Sequence, residues 1–475
     1  MFIDIREKLF NINLLIALAL VASTFTQLRF PGVPVGFSDV LFLLYIGYSF
    51  LAILYTYNSG YSYSTLQPTR ATLLPVVIFF LVFVFLMVAG TLFSEITQVS
   101  TGLSPYHNLF AFFYLAILFL FIFIRGDIDV GLTARYTTLI LALSVSITVV
   151  ISLFTRDFIG VDFYHLWTDR LMLLTRSPNH LADFIAPLPF LLLYFLFKTK
   201  TKTKTKTFQG LIVVLVVLVL LAGVMSQSKA TLLAWAIAIL FLLFKLISSS
   251  AYTRYIMGFF TILLLLIFFI FQNEFSSLLF HGTKNILDSA SNTDLPTVVK
   301  INRGIVYDIH IRVGLIYNAI ELANLSPIFG YGAGASTGIT EPFLGREAHN
   351  NIADILMISG YFGLLTYLLV MFFVVIQIVN SKKDLLLAAF IVIIIVSLFH
   401  FQLRQPLFWF YLIFILHEST PATIENNFDN QIRAKTLVDY LKTRKKYNYK
   451  KTKKKYMHYY IAHPIIRQIV INKSI

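Results

Sequence analysis

Apolar residues come in blocks of about twenty along most of this chain, separated by short polar turns, which is the pattern of helices cut to the thickness of a bilayer core. Runs of this kind lie at 9–28, 37–57, 71–93, 108–125, 133–155, 181–197, 208–225, 230–247, 255–272, 352–380, 384–401 and 405–417. They predict an all-α polytopic membrane protein with about twelve transmembrane helices, the short sixth and twelfth runs also fitting a partly re-entrant path. The first run follows Arg6 and Lys8 but lacks a small-residue cleavage site and is followed at once by further runs, so it is expected to be a retained anchor. A different period marks the longest hydrophilic stretch, 273–350. There Ile305, Ile309, Arg312, Val313, Ile316, Tyr317 and Ile320 recur at spacings of three and four, predicting an amphipathic helix that lies on the membrane or caps the bundle and stops before Pro327. The chain thus divides into a membrane domain over 1–417, an extracytoplasmic loop over 273–350 within it, and a tail over 418–475.

Composition agrees with the pattern. The chain is 58% apolar and 13% charged with mean hydropathy +0.79, whereas a soluble domain is about 45–50% apolar. The net charge of +15 is then a matter of topology, because cytoplasmic loops are enriched in Lys and Arg. Placing the N-terminus in the cytoplasm puts Arg70, Arg125, Arg135, the Thr-Lys repeat from Lys198 to Lys206, Lys245, Arg254, Lys382 and Lys383 on that side. The basic tail, with Lys442, Arg444, Lys445, Lys446, Lys450 and Lys451, joins them, so both termini are expected to be cytoplasmic. The repeat and the tail are low-complexity segments that cannot bury a core. Their expected partner is anionic membrane lipid, at about 1 kcal/mol per basic residue near the surface, and no nucleic acid is needed to explain them. Absence of cysteine rules out disulfides and thiol catalysis.

The informative charges are those expected on the opposite face: Arg156, Arg170, Arg176, Lys229, Arg303, Arg312, Arg346 and Arg404. Most are Arg, whose planar fork matches phosphate oxygens. Some are expected to pair with the nearby Asp157, Asp162, Asp169, Asp308, Glu341 and Glu347; together they point to an anionic substrate. Two outer segments bear on a site. The first ends in Arg176-Ser177-Pro178-Asn179-His180, where Asn179 is placed to cap the sixth run and the positive helix end faces the loop. The second carries Gly330-Tyr331-Gly332-Ala333-Gly334, whose glycines permit positive φ and a possible anion nest, and then His349-Asn350 at the mouth of an apolar run. The positive end of a helix disfavours the imidazolium, and a neutral imidazole can take a proton. The same residue is equally suited to capping or anchoring the helix.

These segments resemble the O-antigen ligase and polymerase family of bacterial inner-membrane glycan transferases. The resemblance runs through Ser177-Pro178-Asn179 with Ala182, Ser226-Gln227-Ser228-Lys229, Arg312 with Ile316, Ala319, Pro327 and Gly330-Tyr331-Gly332, and His349-Asn350 with Gly360 and Gly363, covering roughly residues 170–370. Three positions depart from it: Lys229 stands where the family usually has Arg, Ile316 where an aromatic is common, and Leu364 where a small or β-branched residue is common. The resemblance implies a GT-C-like multi-pass fold in the bacterial inner membrane. It also implies transfer of a glycan from an undecaprenyl-diphosphate carrier to a hydroxyl of a glycolipid or glycan acceptor, without metal, nucleotide or other cofactor. In that setting His349 is the expected base and Arg312 the main diphosphate clamp. Arg303, Arg176 and Lys229 are further cationic candidates, and Asn179 and Asn350 are candidates for orienting substrate. A polymerase using the same donor is the alternative within the family; a polysaccharide or lipid transporter and a two-carboxylate glycosidase are alternatives from other classes.

Overall fold

The structure, a computed structural model, describes residues 11–28, 36–58, 68–97, 105–126, 128–158, 160–166, 168–198, 206–247, 305–337 and 348–420. They are mostly helical: α1 (Ile12–Thr24), α2 (Phe37–Asn58), α3 (Pro68–Ile96), α4 (Pro105–Arg125), α5 (Val130–Ser152), α6 (Pro178–Ile185), α7 (Leu188–Lys198), α8 (Lys206–Met225), α9 (Lys229–Ile247), α10 (Ile305–Leu325), α11 (Asn351–Ser381), α12 (Asp384–Ser397) and α13 (Pro406–Ser419). A small antiparallel hairpin, β1 (Asp157–Phe158) and β2 (Val161–Asp162), sits in the loop after α5, with Phe158 opposite Val161. Among the described residues, seven stretches are long and apolar enough to cross a membrane: Phe37–Tyr55, Thr72–Ile96, Asn108–Arg125, Val130–Ser152, Pro178–Lys198, Thr207–Met225 and Asn351–Ser381. Helices α1, α12 and α13 are shorter apolar helices. Each predicted run inside the described residues coincides with a helix or a helix pair. The run at 255–272, Arg303, Arg346 and the chain after Thr420 lie outside them.

The sixth run is two helices rather than one. Pro187 and Pro189, two residues apart, remove two backbone donors that a continuous helix would need, so α6 ends at Ile185 and α7 begins at Leu188. The carbonyl of Ala186, left over at this break, accepts from Trp235 Nε1 on α9 at 2.7 Å. The cap of α6 also differs from expectation. Ser177 is the N-cap, its hydroxyl accepting from the Asn179 N–H at 3.3 Å, and Pro178 takes the first helical position that suits it. Asn179 therefore lies inside the first turn.

At the centre is α13, buried at almost every position from Pro406 to Ser419. A helix apolar all round lies inside a protein or against lipid, and here α1, α5, α11 and α12 pack on it. Trp409 is fully buried, stacking on Phe79 and meeting Phe80 of α3 in a tilted contact, both at 4.8 Å between ring centroids, while its indole N–H donates to the Leu403 carbonyl at 2.8 Å. Large apolar side chains on the outside, among them Leu51, Phe85, Phe110, Val217 and Phe372, stay exposed, as a lipid-facing surface requires.

The helix ends separate into two sets. At one end the Asn13 side chain accepts from Asp129 N–H, Lys245 faces Asp384, and buried Glu418 is held by Lys198 at 2.6 Å and by Lys383. Glu418 thus belongs to the bundle, and the predicted start of the tail at 418 moves past the end of α13. The opposite end gathers the start of α6, the turn between α8 and α9, the start of α11 and the turn between α12 and α13.

One more device shapes that second end. Helix α11 breaks its helical path at Gly360, whose φ of 64° frees carbonyls on the preceding turn. Tyr331 and Gly332 donate their N–H groups to Met357 and Ile358 at 2.8 and 3.0 Å, and Tyr361 donates to Pro327 at 2.8 Å. A third backbone closes the crossing, since a Cβ at Gly90 of α3 would lie 2.5 Å from the Phe329 carbonyl.

Candidate functional site

The glycine-rich loop is a packing junction. Gly330 N–H donates to Ser326 at 3.0 Å, Tyr331 and Gly332 donate to α11, and Ala333 donates to Thr91 Oγ1 at 3.1 Å. Four successive donors are consumed by protein oxygens, so the expected anion nest is not formed there. Burial in this junction pushes the Tyr331 phenol above its usual pKa. Helix α10 packs on the first half of α11 through Leu315, Ala319 and Leu322, against Tyr331, Ala353 and Met357. The helix falls where the sequence placed it, ahead of Pro327, but it packs through Leu315, Ala319 and Leu322, while Tyr317 and Ile320 of the expected apolar face are exposed. Arg312 lies on it, with a side chain outside the described residues.

His349 is exposed and held at φ 52° immediately before α11. Left-handed backbone is uncommon outside glycine, though His tolerates it better than most residues. Asn350 follows as a buried N-cap, its Oδ1 accepting from Ile352 and Ala353 N–H at 2.9 and 3.1 Å. Its Nδ2 donates to the Leu398 carbonyl at 2.8 Å, so this amide holds the helix start in place. Asp354 reaches back to the Asn350 N–H at 3.2 Å. Asn351 accepts from Gln402 N–H at 2.8 Å. The start of α11 is thereby bound twice to the turn between α12 and α13.

The turn itself is polar. Its Arg404 donates to Asn108 Oδ1 at 2.9 Å and lies 4.7 Å over the Phe401 ring. Asn108 passes the link to the Ala333 carbonyl at 2.7 Å. His400 Nδ1 meets Asp183 Oδ1 of α6 in a close hydrogen bond, the two side chains 8% and 5% exposed. Asp183 also lines a small cleft with Gln402, Gln405, Phe408 and Tyr411.

A second cluster surrounds Asn179. Arg170 donates through Nε to the Ser226 carbonyl at 2.8 Å and through Nη2 to Asn179 Oδ1 at 2.9 Å, tying the loop after α5 to the turn between α8 and α9. Arg176 is exposed, with its backbone N–H on Thr26 Oγ1 at 2.8 Å. Lys229 is exposed at the first position of α9. Arg156 pairs with Asp169, as loop charges were expected to do. The structure thus brings Asn179 together with Arg170, and His349 together with Asn350, at one end of the bundle. Among the described residues no three His, Asp or Glu side chains gather as a metal site.

Sequence reasoning passed over Asp183 and His400, which are 217 positions apart. A local sign was present: His400, Gln402, Arg404 and Gln405 fall within six residues at the junction of two apolar runs, more hydrogen-bonding groups than a simple turn needs. Comparison with known proteins finds no family model and no curated protein that matches this chain.

Proposed function

We propose that this chain is a glycosyltransferase of the bacterial inner membrane with about twelve spans, a GT-C-like architecture and both termini in the cytoplasm. It moves a glycan from an undecaprenyl-diphosphate carrier to an acceptor hydroxyl in surface polysaccharide biosynthesis, as an O-antigen ligase does. The observation that carries the reading is the exposed His349 at the mouth of α11, at the same end of an apolar bundle as Arg170, Arg176, Lys229 and Arg404. His349 lies on the solvent-facing side of this helix mouth, where a substrate hydroxyl could reach it, and the Asn350 cap fixes the backbone from which it projects.

In this reading the imidazole takes the proton of the acceptor hydroxyl as that oxygen bonds to the anomeric carbon and the bond to the carrier diphosphate breaks. The diphosphate departs with its electron pair and is a weak base, so it needs cations more than a proton donor. Arg312 is assigned to it, with Arg303, Arg176 and Lys229 in support. Asn179 is assigned to substrate through the Arg170 cluster, while Asn350 acts by holding His349.

The test is transfer by purified protein from a lipid-diphosphate glycan in detergent. His349→Ala is expected to lower kcat by about 10²–10⁴-fold, and Arg312→Ala to weaken transfer strongly. Full activity in both variants, properly inserted, overturns the assignment. Chelators are expected to leave the rate unchanged, and a strict divalent-metal requirement would count against this chemistry.

A further inference from the structure

We propose that Asp183 and His400 form a positioning pair for the transfer site, setting the α11 mouth that carries His349 against the α6 segment that carries Asn179. The inference rests on the reading of His349 as the base. Both side chains are almost fully out of solvent. Burying an ionisable pair costs desolvation that apolar residues of similar volume avoid, so such a pair is weak ground for stability and better ground for geometric specificity.

The connections show what geometry it specifies. Asp183 lies one turn after Asn179 on α6, and Asn179 takes the Arg170 guanidinium at 2.9 Å. His400 lies in the turn whose Leu398 carbonyl accepts from Asn350 at 2.8 Å and whose Gln402 N–H donates to Asn351 at 2.8 Å. The residue before Asn350 is His349. A buried hydrogen bond therefore joins the two outer clusters. Displacing one cluster by an ångström would disturb a base that must meet an acceptor hydroxyl at hydrogen-bond distance.

The experiment compares wild type, Asp183→Asn, His400→Gln, the exchange variant Asp183→His/His400→Asp, and His349→Ala in the full-length protein. Steady-state transfer and the rate at which diethyl pyrocarbonate modifies His349, read by mass spectrometry, are measured on each. Asp183→Asn and His400→Gln are expected to lose about 100-fold in kcat with donor KM nearly unchanged and with a changed His349 modification rate, and the exchange variant to recover much of both. Folded single variants with wild-type kcat and wild-type modification rate overturn the proposal. Loss of fold in all three pair variants assigns the pair to stability alone and also overturns it. An inactive His349→Ala beside fully active pair variants leaves the transfer reading standing and removes only the pair. A fully active His349→Ala removes the transfer reading, and the modification rate then still decides whether the pair positions His349.

Discussion

A methyl group added at position 332 would meet the backbone of Thr91, which cannot swing aside as a side-chain tip can. Position 332 also has φ 78°, where an L side chain is strained by roughly 1–2 kcal/mol. Overpacking adds typically about 1–3 kcal/mol, so Gly332→Ala is expected to lower the thermal midpoint in detergent markedly. Gly210 supplies the control, because it lies in α8 with nothing within 4 Å of its would-be Cβ. Gly210→Ala is expected to be neutral or stabilising by up to about 1 kcal/mol. Equal midpoints for the two variants would show that the crossing of α3, the 327–332 loop and α11 is looser than described. The same comparison separates two meanings of a glycine motif. Gly330-Tyr331-Gly332 was visible in the sequence as backbone freedom, but its use was not, since the partners of its N–H groups lie on α11 and α3, far away in the chain.

Helices were the legible elements, because each needs only local periodicity and length. Their ends were less so. Pro187 and Pro189 were visible within the sixth run, yet the break they make is stabilised by Trp235 from another helix. Asn350 shows the reverse case, a residue whose position was legible and whose role was not. It stood out beside His349 as a substrate-orienting candidate, and its amide oxygen caps α11 while its nitrogen donates to Leu398. Asn350→Ala is expected to cost about 1–2 kcal/mol and to speed amide exchange at Ile352 and Ala353. Asn350→Asp keeps the acceptor for the cap and loses the donor to Leu398, so exchange at those two amides should stay near wild type while stability falls part way. Unchanged exchange in Asn350→Ala would return this side chain to the list of substrate contacts.

Charge and hydropathy act on the whole molecule, and they sort its two ends. The end with Lys198, Lys245 and Lys383 holds lysines against Glu418 and Asp384, whereas the end with His349 presents mainly arginines bound to amides and carbonyls. By the positive-inside rule the lysine end is expected in the cytoplasm, which puts the proposed chemistry on the outer face. A chain without cysteine makes the orientation directly measurable, since any introduced thiol is the sole reporter. Leu166 is 84% exposed in the loop after α5, and Thr207 is exposed at the start of α8, at opposite ends of the bundle. In spheroplasts, a membrane-impermeant maleimide is expected to label Leu166→Cys, and to label Thr207→Cys only after lysis. The inverted result would place His349 in the cytoplasm and end the case for an undecaprenyl-diphosphate donor at the outer face. Labelling of both thiols from one side would contradict a bundle that crosses the membrane between them.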